Sequence, residues 1–317
     1  MNINRRDFLK LAGVAAVRVA AGSIPGESYA AVEEFEGHPE RKGILVDTTQ
    51  CIGLNCRRCE LACAKEHNLP TPDKPPEDPT VFDARRRTSP TQFTVVNRFP
   101  GDSPDSPIYA KKQCMHCDEP ACASACLVKA FTKTDEGAVT YDASVCIGCR
   151  YCMVACPFDI PTYEYNSALH PRVRKCTFCF EERLKEGRAP ACTEACPREV
   201  MTFGKREDLI KLARQKIARS PDRYVEHIYG EHEVGGTSWM YLSSKPFDQI
   251  GFRTDLGTTP YPSLTRNYLS AAPLIMAIWP AFFLSIYLFS KRKDDLAKRN
   301  GNHIDDHTQS DNHRENA

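Results

Sequence analysis

The side chains best suited to chemistry in this 317-residue chain are its 16 cysteines, and their spacing says more than their number. They fall at Cys51, Cys56, Cys59 and Cys63; at Cys114, Cys117, Cys122 and Cys126; at Cys146, Cys149, Cys152 and Cys156; and at Cys176, Cys179, Cys192 and Cys196. Four groups of four account for all of them, with none left over. Thiols in such patterns either ligate metal or pair as disulfides. Neighbours separated by only two residues recur in every group, and 16 in 317, about 5%, is below the density at which composition alone signals a disulfide scaffold. A disulfide-stabilised binding module is therefore the weaker alternative.

The third group, "CIGCRYCMVACP" at residues 146–157, matches C-x2-C-x2-C-x3-C-P residue for residue. In two-cluster bacterial ferredoxins that run gives three thiolates to one 4Fe-4S cluster and the fourth to its neighbour. Zinc also accepts four cysteines, but its sites draw on two separated C-x-x-C pairs rather than a compact run ending in proline. The second group, C-x2-C-x4-C-x3-C, is a loosened version with Leu127 in place of the proline, and the fourth, C-x2-C-x12-C-x3-C-P, has a longer excursion. The first, C-x4-C-x2-C-x3-C, is the weakest match.

Distance along the chain suggests which groups exchange fourth cysteines. Groups two and three are close neighbours, which puts Cys114, Cys117, Cys122 and Cys156 on one cluster and Cys146, Cys149, Cys152 and Cys126 on another. Groups one and four then pair by elimination: Cys51, Cys56, Cys59 and Cys196, and Cys176, Cys179, Cys192 and Cys63. The rival pairs group one with two and three with four.

Short elements must position these loops. "ILVDTTQ" before Cys51 reads as a strand, and "FTKTDEGAVTYD", residues 131–142 between groups two and three, reads as a hairpin turning at Asp135 to Gly137. Residues 64–113 form an insertion with the proline-rich "LPTPDKPPEDP" and a strand-like "TQFTVVNRF". "EDLIKLARQKIA", residues 207–218, has the apolar period of an amphipathic surface helix. In "EHEVGGTSWMYLS", residues 231–243, Gly235 and Gly236 read as a turn before a strand. The double cysteine-motif domain thus spans residues 43–204, and residues 205–265 read as an extension and linker.

Basic residues crowd the cysteine loops: Arg57, Arg58, Lys111, Lys112, Arg150, Arg172, Arg174 and Lys175. Each is either a solvated surface charge or a cation that tunes an anionic cluster. His116, inside the second loop, reads as a packing residue, since four thiolates suffice. No G-x-S-x-G, Walker loop, G-x-G-x-x-G or H-E-x-x-H occurs, so no catalytic residue is assigned. The net charge of +1 gives no sign of a nucleic-acid partner.

The two ends carry separate signals. "NRRDFLK", residues 4–10, then an apolar stretch interrupted by Arg18 and "SYA" at residues 28–30, resemble a twin-arginine export signal over residues 1–30. That route carries folded proteins, so a metal cofactor can be inserted before export. Residues 268–290, "YLSAAPLIMAIWPAFFLSIYLFS", contain no charge and as a helix would extend about 35 Å, enough for a bilayer core of about 30 Å. "KRK" follows at Lys291, which places the tail in the cytoplasm and residues 31–265 on the opposite, periplasmic side. Residues 291–317, with His303, His307 and His313, read as a disordered tail.

"KKQCMHCDEPACASAC", "CIGCRYCMVACPFDIP", "KCTFC" and "ACTEACP" resemble the four-cluster ferredoxin subunits of membrane-bound molybdoenzymes and hydrogenases. With a twin-arginine signal and one C-terminal membrane helix on the same chain, the sequence is most similar to the HybA type, the iron-sulfur subunit of hydrogenase-2-type complexes. The resemblance implies an α+β fold of two ferredoxin-like modules, each with two 4Fe-4S clusters, groups one and four sharing a module. It also implies a non-catalytic electron-transfer subunit at the periplasmic face of the inner membrane, passing electrons between a NiFe hydrogenase and an integral membrane quinone-reactive subunit. The x4 interval after Cys51 departs from that family's first motif. The rival within the resemblance is the electron-transfer subunit of a formate dehydrogenase, which carries a stretch like "VGGT" at Val234 to Thr237.

Overall fold

The computed structural model describes residues 38–311 apart from 54–55, 73, 76 and 104–105, with side chains at 267–270, 272–274 and 299–311 left out. The expected export signal lies outside the described residues.

A three-stranded sheet forms the centre. Strand β1 (Lys42–Asp47) pairs antiparallel with β8 (Met201–Lys205) on one side and parallel with β9 (Trp239–Leu242) on the other. Register places Ile44 opposite Phe203 and Trp239, and Val46 opposite Met201 and Tyr241. Because side chains alternate across a strand, Ile44, Val46, Trp239 and Tyr241 join the core that holds the cysteines. Leu45, Met240 and Leu242 point the other way and pack under helix α5 (Arg206–Arg219) through Leu209 and Ala213. Both faces are covered, which is why "ILV" and "WMYL" are unbroken apolar runs.

The cysteine loops hang from this sheet on short helices. Group one runs into α1 (Arg58–Glu66), group two into α2 (Ala121–Ser124), group three into α3 (Tyr151–Ala155) and group four into α4 (Ala191–Glu194). Helix α1 packs on α4, and α2 on α3. Between groups two and three, β4 (Phe131–Lys133) and β5 (Val139–Tyr141) form the hairpin, turning through Gly137 at φ +99°. Strands β2 (Val95–Phe99) and β3 (Ile108–Lys112) form a ribbon inside the insertion, and β6 (Thr162–Tyr163) pairs with β7 (Val173–Arg174). Val95, Val96, Phe99 and Tyr109 are buried, so the ribbon is part of the core rather than a cover over it.

Two stretches differ from the sequence expectation. Residues 205–265 are more than a linker: Trp239 to Leu242 are fully buried, and Gly235 and Gly236, at φ +88° and +99°, swing the chain so that Gly236 O accepts from Asp118 N–H at 2.9 Å. A Cβ on Gly236 would meet Arg206 Nη2 at 2.8 Å and Asp118 Oδ2 at 2.9 Å, so the position requires glycine on both counts. Second, helix α6 (Tyr261–Asp311) contains the whole apolar span and continues through most of the tail expected to be disordered. Residues such as Lys291, Asp294, Leu296 and Ala297 extend an existing helix without a new nucleation cost. Among the described residues no helix is long and apolar enough to cross a membrane.

Candidate iron-sulfur centres

The backbone of each cysteine loop turns through a left-handed residue. Arg57 (φ +39°) precedes α1, Arg150 (φ +60°) precedes α3, and His116 (φ +51°) and Phe178 (φ +63°) occupy matching places in groups two and four. A second turn recurs three residues after a fourth cysteine: Lys129, Asp159 and Glu199, at φ +51°, +54° and +50°, return their N–H to the carbonyls of Cys126, Cys156 and Cys196. Group one lacks this turn because α1 runs on past Cys63. Sulfur receives N–H donors directly: Ala130 to Cys126 at 3.2 Å, Gly148 to Cys146 at 3.4 Å and Phe178 to Cys176 at 3.4 Å. Such donors favour a thiolate.

All sixteen thiols are free. Burial, then the neighbouring Cys196 and Cys56 groups, push Cys51 up to about 11, opposed by the Gly53 N–H. Burial, then Cys176, Cys192 and Cys179, raise Cys63. Burial, then Cys156, Cys114 and Cys122, raise Cys117. Burial, then Cys146, Cys149 and Cys126, push Cys152 up to about 11. The thiols thus stand in four neighbourhoods, and each contains one cysteine from a second sequence group: Cys196, Cys63, Cys156 and Cys126. Electrostatic influence between neighbourhoods follows a line, Cys192 acting on Cys59, Cys114 on Cys176 and Cys152 on Cys122.

A cavity is lined by Cys51, Cys56, Cys59 and Cys196 under Tyr109 and Lys111. Among the described residues no three His, Cys, Asp or Glu side chains converge closely enough for a single metal ion. Four thiols that line one cavity without converging on a single point suit a polynuclear cluster better than a zinc ion. Burial raises the Cys51 and Cys59 thiols, so a metal group binding there would have to displace their protons.

The basic residues differ in burial, with Lys112 and Arg174 half-buried. Arg58, Arg150 and Arg172 are exposed, whereas Arg57, Lys111 and Lys175 are buried. Arg57 pairs with Glu60 at 3.5 Å and donates to Lys74 O at 3.0 Å. Lys175 donates to Val139 O and, at 3.1 Å, to Cys176 O. His116 is fully buried; its Nδ1 accepts from Val139 N–H at 2.8 Å, and its ring stacks on Phe178 with centroids 4.9 Å apart. Burial, then Lys175, Lys133 and Lys111, hold it well below the ordinary histidine range. His116 is therefore a neutral packing residue where groups two and four meet. Sequence reasoning missed His67, whose Nε2 is 3.5 Å from Cys179 Sγ while its Nδ1 is 3.2 Å from Glu182. No spacing rule marks it, because it meets Cys179 only through the packing of α1.

Residues 106–206 match the family of the 4Fe-4S dicluster domain. The chain is 47% identical over 295 residues to a protein of Nitratidesulfovibrio vulgaris, covering 93% of this chain and 79% of that one. It is 35% identical over 285 residues to the hydrogenase-2 operon protein HybA of Escherichia coli O157:H7, covering 78% and 83% of the two chains. It is 34% identical over 204 residues to the iron-sulfur subunit of the nitrate-inducible formate dehydrogenase of Escherichia coli K12, covering 62% and 66%. With cysteine loops built to hold 4Fe-4S clusters, the chain is an iron-sulfur electron-transfer subunit that belongs to the family of the hydrogenase-2 operon protein HybA and is related to formate dehydrogenase iron-sulfur subunits.

Proposed function

We propose that this subunit relays electrons through four 4Fe-4S clusters between a periplasmic catalytic partner, a NiFe hydrogenase, and a quinone-reactive membrane subunit. When bound, each cluster supplies one-electron transfer. The ligand sets are Cys51, Cys56, Cys59 and Cys196; Cys63, Cys176, Cys179 and Cys192; Cys114, Cys117, Cys122 and Cys156; and Cys126, Cys146, Cys149 and Cys152. The observation that carries this assignment is the crossing of one cysteine from each group into another group's neighbourhood, with α1 against α4 and α2 against α3. The rival pairing of group one with two would need Cys63 beside Cys114 and Cys117; its neighbours are Cys176, Cys192 and Cys179.

The line of neighbourhoods gives the relay an order, from the Cys51 set through the Cys176 and Cys114 sets to the Cys146 set. Helix α6 packs against α2, which carries Cys122 and leads into Cys126, and this contact supports a reading in which the Cys146 set, at that end of the line, lies toward the membrane. Around it Leu127, Ile147, Tyr151 and Val154 are exposed, as is Cys149, an apolar surface suited to a membrane subunit. Every described side chain from Ile275 to Lys298 on α6 is exposed, so the apolar positions of residues 268–290 have no protein face to bury against. Lipid would cover them, with Lys291, Arg292 and Lys293 on the cytoplasmic side and export by the twin-arginine route.

Cys156→Ser tests the crossing: magnetic spectra should lose or alter the cluster of Cys114, Cys117 and Cys122, and a change confined to the Cys146 cluster would refute it. The formate dehydrogenase relatives give a second reading, as the corresponding subunit of a molybdoenzyme. Nickel in the co-purified complex supports the hydrogenase partner; molybdenum or tungsten replaces it with the second.

A further inference from the structure

Lys111 is a lysine with 4% of its surface exposed and, among the described residues, no ion pair. Its Nζ donates to Gln113 Oε1 at 2.9 Å and lies 4.3 Å from the centroid of the Trp239 ring, which is itself fully buried. Gln113 Nε2 in turn donates to Tyr241 OH at 2.5 Å, and that hydroxyl donates to Lys111 O at 3.1 Å, so the ammonium head is held by a closed set of neutral partners. A neutral amide and an aromatic face are too little to hold an ammonium ion away from water. What remains nearby is sulfur. Lys111 lines the cavity of Cys51, Cys56, Cys59 and Cys196, and the thiols of Cys192 and Cys176 also lie within its electrostatic reach.

We infer that Lys111 is a shared internal counter-cation for two adjacent clusters, those of the Cys51 set and the Cys176 set, and that it raises the reduction potential of both. The inference rests on the four-cluster reading above. One-electron reduction adds one negative charge to a thiolate-bound cluster, the electron coming from the redox partner of the relay, and a fixed positive charge beside it favours that charged state. Because the head is close to both ligand sets, its loss should shift a pair of potentials together. The Cys146 set lies at the far end of the line and serves as an internal reference.

The test is an EPR-monitored redox titration of the full chain in its purified complex. Lys111→Met removes the charge and keeps the stem; Lys111→Arg keeps the charge. With Lys111→Met, two of the four potentials should fall by at least a tenfold change in the reduction equilibrium, about 59 mV for a one-electron couple, while the other two move less. Lys111→Arg should stay within threefold of the parent protein. If Lys111→Met does not assemble its clusters, Lys111→Gln, which keeps a polar head beside Gln113, is titrated in its place. Four assembled clusters with unchanged potentials, or all four shifted equally, would overturn the role of Lys111. A parent protein with fewer than four clusters would overturn the four-cluster reading instead.

Discussion

Asp47 ends β1 four residues before Cys51, and replacing it with asparagine should loosen the start of the first cysteine loop. It is 1% exposed and accepts five hydrogen bonds: Oδ1 from Thr49 N–H at 3.2 Å and Thr49 Oγ1 at 2.6 Å, Oδ2 from Gln50 Nε2 at 2.7 Å, Tyr224 OH at 2.8 Å and Lys216 Nζ at 3.1 Å. In Asp47→Asn the amide oxygen can keep the Thr49 bonds, leaving an NH2 where Oδ2 had three donors. The Tyr224 hydroxyl can turn and the Gln50 amide can flip, but Lys216 can only donate. Bonds to a charged group contribute about 1.5–3 kcal/mol each, and the partly exposed Lys216 pair contributes at most about 1 kcal/mol, so the loss should be about 2–4 kcal/mol. At roughly 2–4 °C per kcal/mol for a domain of this size, the thermal midpoint should fall by about 4–16 °C at a fixed scan rate.

The pH dependence sharpens that test. Burial raises the Asp47 carboxyl, but the Thr49, Tyr224 and Gln50 hydrogen bonds and Lys216 outweigh it and hold the group below its ordinary 3.8. A depressed folded-state pKa gives stability that is complete above the unfolded value and is lost as pH falls through the folded one. The gap between parent and Asp47→Asn should therefore be flat from about pH 8 to 5 and shrink only below about 4. A midpoint change under about 1 °C, or a gap that closes by pH 6, would refute the reasoning.

Gly236→Ala should destabilise by at least about 1–3 kcal/mol, since φ is +99° and the new Cβ would meet Arg206 and Asp118; urea unfolding followed by near-UV dichroism reads it. Truncation before Tyr268 should move the subunit from the membrane to the soluble fraction, and retention on membranes free of its partner subunits would contradict the anchor.

The third cysteine group could be read from sequence because ligand spacing in a compact loop is local chemistry. A further local signal lies in the loops themselves: Cys-Ile-Gly opens groups one and three, while Pro-Ala-Cys lies in groups two and four. Each pair of helices in contact joins one loop of each kind, which is what two copies of one module would give. The remaining features depend on non-local packing. Nothing near residue 239 announces that Trp239 pairs with Ile44 almost two hundred positions away, or that the glycines before it tie down group two. The eight basic residues look alike in sequence, yet only the folded chain separates buried Lys111 and Lys175 from exposed Arg58 and Arg150. His67 likewise gains its place beside Cys179 only from helix packing.

The central claim is that sixteen thiols hold four clusters. Iron and acid-labile sulfide determined on anaerobically purified protein test it most directly, with about 16 of each per chain expected for four 4Fe-4S clusters. Zinc without sulfide, or iron and sulfide near about eight, would contradict it.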